Sequence, residues 1–266
     1  MADPTLTPAL VDQLLARAMG QRADQVLRDR LLRRLLDSAV AGAERIAEDM
    51  SLAESLPPSH PVLQRLATTH APKIVGINAT TRERLKNGLL QAIADGESLP
   101  GQVAVVQEVF TNASRSRATT IARTENLIFW EAGGHQQMVE GGAVAHLWIT
   151  TRDIRRRPSH VPMEGQCQPI HVPFVSGAGV RLMHPGDPSA PIEELANCRC
   201  LEVPLTRDCE SRNLHFGSYQ RRTIYWKGRI RAIEQAERLV LSTTRGIFAE
   251  QRADVLAAIE DLVGNA

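Results

Sequence analysis

Hydrophobic positions in the first half of the chain recur at the spacing of amphipathic helices. Thr7 is placed to cap a helix that has Pro8 in its first turn. Between residues 23 and 47, apolar side chains again fall near helical spacing, and arginines take much of the opposite face. We therefore expect a helical N-terminal region that includes a helix with a basic flank.

Prolines and glycines punctuate the rest of this helical half. Prolines at 57, 58 and 61 interrupt the helical pattern. Thr80 with Glu83 forms a capping-box pair, which predicts the start of a helix that ends at Gly96.

Two more helices are predicted before the sequence becomes rich in β-forming residues. After a turn at residues 99–101, the apolar spacing predicts a short helix over 103–110 and a longer one from residue 118. The pair Gly141-Gly142 is expected to end the second of these helices.

The middle of the chain favours β-structure. Residues 143–150 (AVAHLWIT) are dense in β-formers, and 170–175 and 180–183 are short apolar runs between turns rich in glycine and proline. Residues 153–169 and 184–197 are interpreted as loops. These runs predict a small antiparallel sheet within residues 143–204.

Helical spacing returns from residue 225 to the end, with Thr243, Thr244 and Gly246 marking a possible break, so one long helix or two short ones are expected. The predicted fold class is therefore α+β, with a helical N-terminal region, a small antiparallel β-containing unit and a helical C-terminal extension.

Composition narrows the class of protein without identifying it. The 266 residues are 43% hydrophobic, which suffices for a real core, and 31 Lys+Arg against 30 Asp+Glu leave a formal net charge of +1. No apolar run is long enough to cross a bilayer, and the start lacks the pattern of a signal peptide, so we expect a cytoplasmic protein at synthesis. In a reducing compartment the four cysteines are expected to be plain thiols or metal ligands rather than disulfides.

A series of short motifs follows in a fixed order across the middle of the chain. They are Ile121-Ala122-Arg123-Thr124-Glu125, Trp148-Ile149-Thr150-Thr151-Arg152-Asp153, Arg157-Pro158-Ser159-His160, Gly165-Gln166, Phe174, Pro185-Gly186-Asp187-Pro188 and Asn197-Cys198-Arg199-Cys200. Each motif alone is weak, but the series resembles the phage head morphogenesis domain of the phage Mu F-like family of minor head proteins. The resemblance covers roughly residues 78–204.

The chain is expected to have three segments, and the resemblance, which covers only the middle one, implies a function. These are a helical arm at 1–77, the head morphogenesis domain at 78–205 and a basic, mostly helical extension at 206–266. It implies a structural, non-enzymatic minor capsid protein that associates with the portal or inner capsid and assists head assembly or DNA delivery. The implied partners are the portal protein, capsid or scaffold proteins and packaged double-stranded DNA, with no membrane. The implied locations are the virion and, during assembly, the host cytoplasm.

Zinc is the cofactor that the residues themselves allow. His160, Cys198 and Cys200 supply ligands of the kind zinc prefers, and Asp153, Cys167 or Cys209 could complete the coordination. Because a C-x-C pair lacks the spacing of ordinary zinc knuckles, the competing interpretation is that these cysteines are buried thiols and that the protein has no cofactor.

A catalytic interpretation and a structural one compete for His160. With Asp153 or Glu164 as partner it could act as a general base, and with Cys198 and Cys200 it could form a metal-dependent hydrolase or nuclease. No nucleophile elbow or phosphate-binding glycine loop accompanies it, so a hydrogen-bonded histidine that fixes a loop is favoured.

The remaining candidate residues are charged, or belong to the frame that the motifs describe. Arg123 and Glu125 on a helix, and Asp153 and Arg155 at a strand end, are expected to form buried or half-buried ion pairs between helix and sheet. The residues assigned to the structural motif are Arg123, Glu125, Trp148, Asp153, Gly165 and Asn197. Two basic clusters could contact DNA in a non-specific way, as in a DNA-binding module. Their residues are Arg152, Arg155, Arg156 and Arg157, then Arg221, Arg222, Lys227, Arg229 and Arg231 around Tyr225 and Trp226.

Overall fold

The computed structural model of the chain describes residues 6–151, 153–206, 209 and 218–264, with residues 218–226 and 264 described by their backbone alone. The helices are α1 (Pro8–Ala18), α2 (Gln21–Met50), α3 (Pro61–Ala94), α4 (Leu99–Asn112), α5 (Ala118–Glu140), α6 (Ile192–Leu195) and α7 (Ser218–Gly264). A π-helical turn (Ala113–Arg117) and a 3₁₀ helix (Pro158–Met163) accompany them. The strands are β1 (Ala145–Ile149), β2 (Cys167–Pro169), β3 (Phe174–Val175), β4 (Arg181–Leu182) and β5 (Leu201–Leu205).

These elements confirm the predicted α+β class, because a small antiparallel sheet lies between helical segments. The start of α1 is also confirmed, since the Thr7 hydroxyl oxygen accepts a hydrogen bond from the Leu10 N–H at 3.4 Å. After α5 the chain turns at Gly142, whose φ of 78° suits a residue without a Cβ.

The predicted start of the third helix is wrong. α3 begins at Pro61, a residue suited to the first helical position because it has no N–H to satisfy. Thr80 and Glu83 lie inside α3, and the Thr80 hydroxyl donates to the Gly76 carbonyl at 3.1 Å. A threonine inside a helix can donate a hydrogen bond to the carbonyl one turn earlier, so the residue types of a capping box also occur in helix interiors. The capping-box pattern therefore predicted a helix start that the structure does not have.

The turn predicted at 99–101 and the separation of the two helices after it are absent from the described residues, and of the two possibilities left open for the tail the structure has the single helix. Leu99 and its neighbours form the first turn of α4 after Ser98 rather than a separate turn, and the π-helical turn joins α4 directly to α5. Thr243 and Gly246 lie inside α7, so the tail is one long helix from residue 218 to 264. Glycine and proline within a helix cost stability without necessarily ending it.

The chain divides into two compact units, each built from separated segments. The first, here called the helical unit, consists of the described residues within Met1–Arg33, Thr69–Thr119 and Leu241–Ala266. The second, the sheet unit, consists of those within Arg34–Thr68 and Thr120–Val240. The sequence boundaries expected at 77/78 and 205/206 stay predictions.

Buried and part-buried polar contacts join the segments of the helical unit. The Arg82 guanidinium donates to the Met19 carbonyl at 2.6 Å and to the Asp24 carboxylate at 2.8 Å. The Gln251 amide donates to the Asn78 side-chain oxygen at 2.9 Å, between two buried residues. Residues far apart in sequence thereby share one interior.

In the sheet unit, α2 and α5 approach each other closely. A Cβ added at Gly133 would lie 2.0 Å from the Ala39 carbonyl oxygen, and one at Gly42 would lie 2.1 Å from that of Trp130. Only glycine allows two helix backbones to come this near. The close crossing fixes α5, which carries His135 into the candidate site.

The main sheet has the order β2-β1-β5, with both neighbours antiparallel to β1. Because successive side chains point to opposite faces, β1 and β5 divide their residues between two surfaces. One face is an apolar cluster whose members are Ala145, Leu147, Ile149, Val203 and Leu205. The opposite face carries His146, Trp148 and Glu202, all fully buried.

A disulfide lies against the apolar face. Cys167 of β2 and Cys209, beyond the end of β5, are joined with their Cα atoms 5.8 Å apart, and both pack on the apolar cluster. The expectation that all four cysteines are thiols or metal ligands is therefore wrong for this pair. It treated the cysteines as one group, whereas the fold separates Cys167 and Cys209 from the C-x-C pair.

Candidate functional site

Two clusters of metal-ligating side chains lie in the sheet unit. The first, the Cys-His cluster, consists of His160, Cys198 and Cys200, and its ligand atoms all lie within 4.8 Å of one another. It unites the residues proposed from the sequence. The second, the His-Glu cluster, consists of His135, His146 and Glu202 and meets the same distance criterion.

The Cys-His cluster is formed where the 3₁₀ helix meets the segment before β5. The His160 Nδ1 atom lies 3.4 Å from the Cys200 sulfur and 3.7 Å from the Cys198 sulfur. Residues two apart in an extended segment face the same side, so a C-x-C pair can present both sulfurs to one histidine. The exposed fractions are 1% for His160, 5% for Cys198 and 3% for Cys200, so the cluster is an interior one.

The carboxylate beside His160 is Glu194, which the sequence analysis did not identify. Its Oε2 atom lies 2.7 Å from the His160 Nε2 atom and accepts a hydrogen bond from the Ser159 hydroxyl at 3.0 Å. The Arg157 guanidinium holds this segment by donating to the Glu194 carbonyl at 2.6 Å. A carboxylate on the far nitrogen leaves the near nitrogen of a neutral histidine free to bind a metal.

The carboxylates predicted to accompany His160 lie elsewhere. Glu164 accepts hydrogen bonds from the backbone N–H of Thr150 at 2.8 Å and from the Thr150 hydroxyl. Asp153 receives two bonds from the Arg199 guanidinium, at 2.7 and 2.8 Å. Both predicted pairings are wrong, because loop geometry rather than sequence distance decides which carboxylate reaches the ring.

The predicted fourth zinc ligands are also engaged elsewhere. Cys167 and Cys209 form the disulfide, and Asp153 forms its pair with Arg199. Among the described residues, the protein ligands that meet at this cluster are therefore the three named above. Three protein ligands leave one position for water or another group in a four-coordinate zinc site.

Electrostatics favours a thiolate at Cys198. A hydrogen bond from the Cys200 thiol lowers the pKa of Cys198 well below its usual range, and His160 adds to this effect against the opposing effect of burial. Burial raises the pKa of Cys200 well above its usual range. Burial also opposes protonation of His160, but the Cys198 sulfur outweighs it and raises the pKa of that histidine.

The chemistry open to these groups is limited by their burial. A cysteine, a histidine and a carboxylate in line have the order of a nucleophile, a base and an orienting group. The histidine and both sulfurs of the Cys-His cluster are almost entirely enclosed, however, so a polymeric substrate cannot reach them in this conformation. Metal coordination needs no such access and fits the sulfur and imidazole donors.

The His-Glu cluster was missed from the sequence. His135 comes from α5, His146 from β1 and Glu202 from β5, and both imidazole Nδ1 atoms contact the same Glu202 oxygen, that of His135 at 2.8 Å. A signal did exist, because His146 interrupts the apolar run AVAHLWIT, and a histidine inside a buried strand needs a partner. Nothing in the sequence pointed to Glu202 as that partner.

The surroundings of Glu202 shift the pKa values of two neighbouring carboxyl groups in opposite directions. Burial opposes its ionisation, but His135 and His146 together outweigh burial and lower the pKa of Glu202 to about 2. Burial raises the pKa of the adjacent Glu131 to about 8. Glu131 accepts a hydrogen bond from the Glu202 N–H at 3.2 Å, and Arg229 donates to the Glu202 carbonyl.

Aromatic rings separate the two clusters on this face of the sheet. Trp148 meets His160 edge-on, with ring centroids 5.5 Å apart, and Phe174 lies 5.1 Å from Trp148. Phe174 also packs on His146 at 4.2 Å. The motif residues Trp148 and Phe174 therefore form the wall between the Cys-His and His-Glu clusters.

The other motif residues make contacts that fix the frame. Arg123 pairs with Glu237 of α7 at 3.2 Å and contacts the Asn197 side-chain oxygen at 3.4 Å, so its carboxylate partner lies on a helix and not at the sheet as expected. Asn197 adopts a φ of 56°, and its N–H donates to the Thr124 hydroxyl at 3.1 Å. Glu125 lies half-buried on α5.

Two motif glycines occupy tight turns. Gly165 has a φ of 75°. Gly186 has the same angle, and a Cβ there would lie 3.0 Å from the Ile128 Cα atom. Asp187 then accepts bonds from the Met183 N–H at 2.7 Å and from the Ser189 hydroxyl at 2.7 Å, which closes the Pro-Gly-Asp-Pro loop.

The residues considered for DNA contact differ in what they offer. Arg155 is exposed, Arg156 contacts the Thr150 hydroxyl at 3.3 Å, and Arg157 is committed to backbone carbonyls. Lys227 is exposed, whereas Arg229 is fully buried against Glu202, so its assignment to a surface cluster is wrong. Arg221, Arg222, Tyr225 and Trp226 have side chains outside the described ones, as has Arg152.

Comparison with known proteins gives one match. The family model for "Phage Mu protein F like protein" matches residues 83–203, a little under half of the chain. Neither a curated protein nor a solved structure matches the chain. Across the described residues, no helix is both long and apolar enough to span a membrane. The matched segment holds the Cys-His cluster, the His-Glu cluster and the motif series, and over these residues the chain is similar to the phage Mu F-like family.

Proposed function

We propose that the protein is a minor head component that associates with the portal or inner capsid and assists head assembly or DNA delivery. The observation that carries this proposal is the family match over residues 83–203. The contacts of the motif residues support a structural role, because Arg123, Asn197 and Asp187 are all occupied by partners inside the fold. A frame of this kind is suited to presenting a surface to partners.

Localisation tests this proposal. The protein is quantified by mass spectrometry in procapsids, mature virions and ejected material of the phage that encodes it, with the major capsid protein as internal reference. We expect it in procapsids at a low and constant ratio to the capsid protein. Its absence from both procapsids and virions would refute the assembly role.

Association with the portal is tested separately. The purified chain and the portal protein of the same phage are mixed and analysed by size-exclusion chromatography at low and at high salt. We expect a complex at both salt concentrations if apolar contacts dominate, and at low salt alone if charges do. A lack of any complex under both conditions, with the protein present in procapsids, would leave assembly intact and exclude the portal as direct partner.

We further propose that the Cys-His cluster binds zinc as a structural centre. The three donors converge, and the Glu194 carboxylate on the far nitrogen of His160 provides the outer partner that zinc-bound histidines commonly have. Burial of all three donors favours this role over a hydrolase or nuclease that would use the same residues.

Metal analysis with a thermal measurement decides this point. We expect zinc in the purified protein and a lower Tm after chelation, since metal binding free energy contributes to folding. Cys200→Ser should lose the metal, whereas His171→Gln, which changes an exposed histidine, should keep it. Protein that contains no zinc after purification and refuses added zinc, with a Tm unchanged by chelator, would contradict the proposal.

A further inference from the structure

The convergence of His135, His146 and Glu202 brings two imidazole nitrogens to one carboxylate oxygen in the interior of the sheet unit. The His146 Nε2 atom lies 2.9 Å from the Val172 carbonyl oxygen. A carbonyl oxygen only accepts hydrogen bonds, so this nitrogen must carry the proton. In the neutral ring the Nδ1 atom is then a bare acceptor, yet it faces a carboxylate oxygen, which is also an acceptor.

The His135 ring approaches the same oxygen. Its Nδ1 atom lies 2.8 Å from the Glu202 Oε1 atom, so two imidazole nitrogens and one carboxylate meet at a single point. The second carboxylate oxygen of Glu202 is buried and has no hydrogen-bond partner among the described residues. A buried carboxylate oxygen without a partner is costly, and a cation at this point would satisfy it.

We infer that His135, His146 and Glu202 form a second metal site, which takes a divalent transition metal such as zinc. Two imidazole nitrogens and one carboxylate are a donor set that suits zinc and its neighbours in the first transition series. Metal–ligand bonds of about 2.0–2.1 Å in a tetrahedral site place ligand atoms about 3.3 Å apart. The His135–Glu202 contact of 2.8 Å therefore has to open by about 0.5 Å to admit the ion, and the shorter His146–Glu202 contact has to open further.

The surroundings hold these three ligands in place. The Val172 carbonyl fixes the tautomer of His146, as outer partners do in histidine metal sites. The Glu202 N–H is bound by Glu131, and its carbonyl by Arg229, so the backbone on both sides of the side chain is anchored. The His135 side chain is 12% exposed, while His146 and Glu202 are fully enclosed, so His135 is the ligand through which the site has contact with solvent.

This site is independent of the Cys-His cluster and differs from it in chemistry. It contains nitrogen and oxygen donors but no sulfur. Cobalt(II) distinguishes the two, since thiolate ligation gives an intense sulfur-to-metal charge-transfer band and nitrogen or oxygen ligation gives ligand-field bands alone. The Cys198→Ser/Cys200→Ser variant removes the sulfur site and leaves the second site to be measured by itself.

The test is a titration of the full-length, metal-free protein with cobalt(II) and then zinc(II). In the Cys198→Ser/Cys200→Ser background we expect one equivalent to bind with ligand-field bands and no charge-transfer band. His135→Gln and His146→Gln in that background should each weaken binding by more than the roughly 10–100-fold typical of losing an outer partner. His171→Gln, at an exposed histidine outside the cluster, should leave the affinity unchanged.

The outcomes separate this inference from the zinc proposal for the Cys-His cluster. A folded serine variant that binds no metal would overturn the second site alone, and so would an unchanged affinity in both glutamine variants. Should the serine variant not fold, the wild-type titration decides. A second equivalent without charge transfer supports the inference, and saturation at one equivalent with charge transfer overturns it.

Discussion

The disulfide between Cys167 and Cys209 gives the sharpest prediction for stability. Replacing both cysteines by alanine removes a link that closes a segment of 42 residues. In the chain-entropy description, the link stabilises the folded protein because it restricts the unfolded chain, and the effect grows with the logarithm of the loop length. For a loop of this length the expression gives about 4 kcal/mol at room temperature.

Packing around the disulfide also contributes a small part of the expected loss in free energy of unfolding. Both cysteines are half-buried against the apolar cluster, so alanine at these positions also removes some apolar contact. Engineered and natural links commonly deliver about 2–4 kcal/mol, so the expected loss in free energy of unfolding lies in that range. Either single replacement breaks the disulfide, so the loss in free energy of unfolding should already appear when only one cysteine is replaced.

Urea unfolding followed by circular dichroism measures the loss, and thiol counting checks its cause. Denatured, unreduced wild-type protein should show two reactive thiols, those of Cys198 and Cys200, and four after reduction. A reductant should lower the stability of wild type to that of the double variant and leave the variant unchanged. Four thiols before reduction, or a double variant within about 0.5 kcal/mol of wild type, would refute the reasoning.

Three further predictions concern packing, acid stability and the Cys-His cluster. Gly133→Ala should lower the free energy of unfolding by about 1–3 kcal/mol or prevent folding, because the added Cβ would meet the backbone of a neighbouring helix. Gly246→Ala, where the added Cβ lies in open space, should be neutral or stabilising by up to about 1 kcal/mol. Urea unfolding of both variants measures the difference. Burial alone would raise the pKa of Asp187, but His184 and the hydrogen bonds that Asp187 accepts lower this pKa. The ionised Asp187 side chain therefore stabilises the fold above pH 3.8, and this stabilisation is lost as the pH falls through the lower pKa of the folded state. The stability difference between wild type and Asp187→Asn should therefore shrink in acid, and a difference that grows there would contradict this. Glu194→Gln should weaken zinc binding roughly 10–100-fold while Cys198 and Cys200 remain, and an unchanged affinity would exclude its orienting role.

The parts of the fold that sequence reasoning found are those with local signals. The cap at Thr7 and the strand around Trp148 follow from residue types within a few positions of each other. The start of α3 and the continuity of α4 with α5 were missed, because the same local signals also occur inside helices. Thr80 has the residue type of a helix cap but bonds to the Gly76 carbonyl within α3.

The candidate site divides along the same line. His160 and the C-x-C pair were grouped because their residue types are rare and typical of zinc sites. Glu194 is one of two consecutive glutamates in a proline-rich stretch, and nothing in its neighbours distinguishes it from Glu193. Only the fold, which turns α6 towards the 3₁₀ helix, brings Glu194 and not Asp153 to the imidazole.

The residues of the motif series are thus mainly residues that pack in the interior or form its tight turns. Trp148, Phe174 and the Cys-His cluster are buried, and the turns at Gly165 and Gly186 adopt angles that favour glycine. A sequence change at any of these positions disturbs the frame, so the motif series encodes architecture before it encodes contact with a partner. If the chain contacts a portal or capsid protein as proposed above, that contact uses exposed side chains such as Arg155 rather than these buried residues.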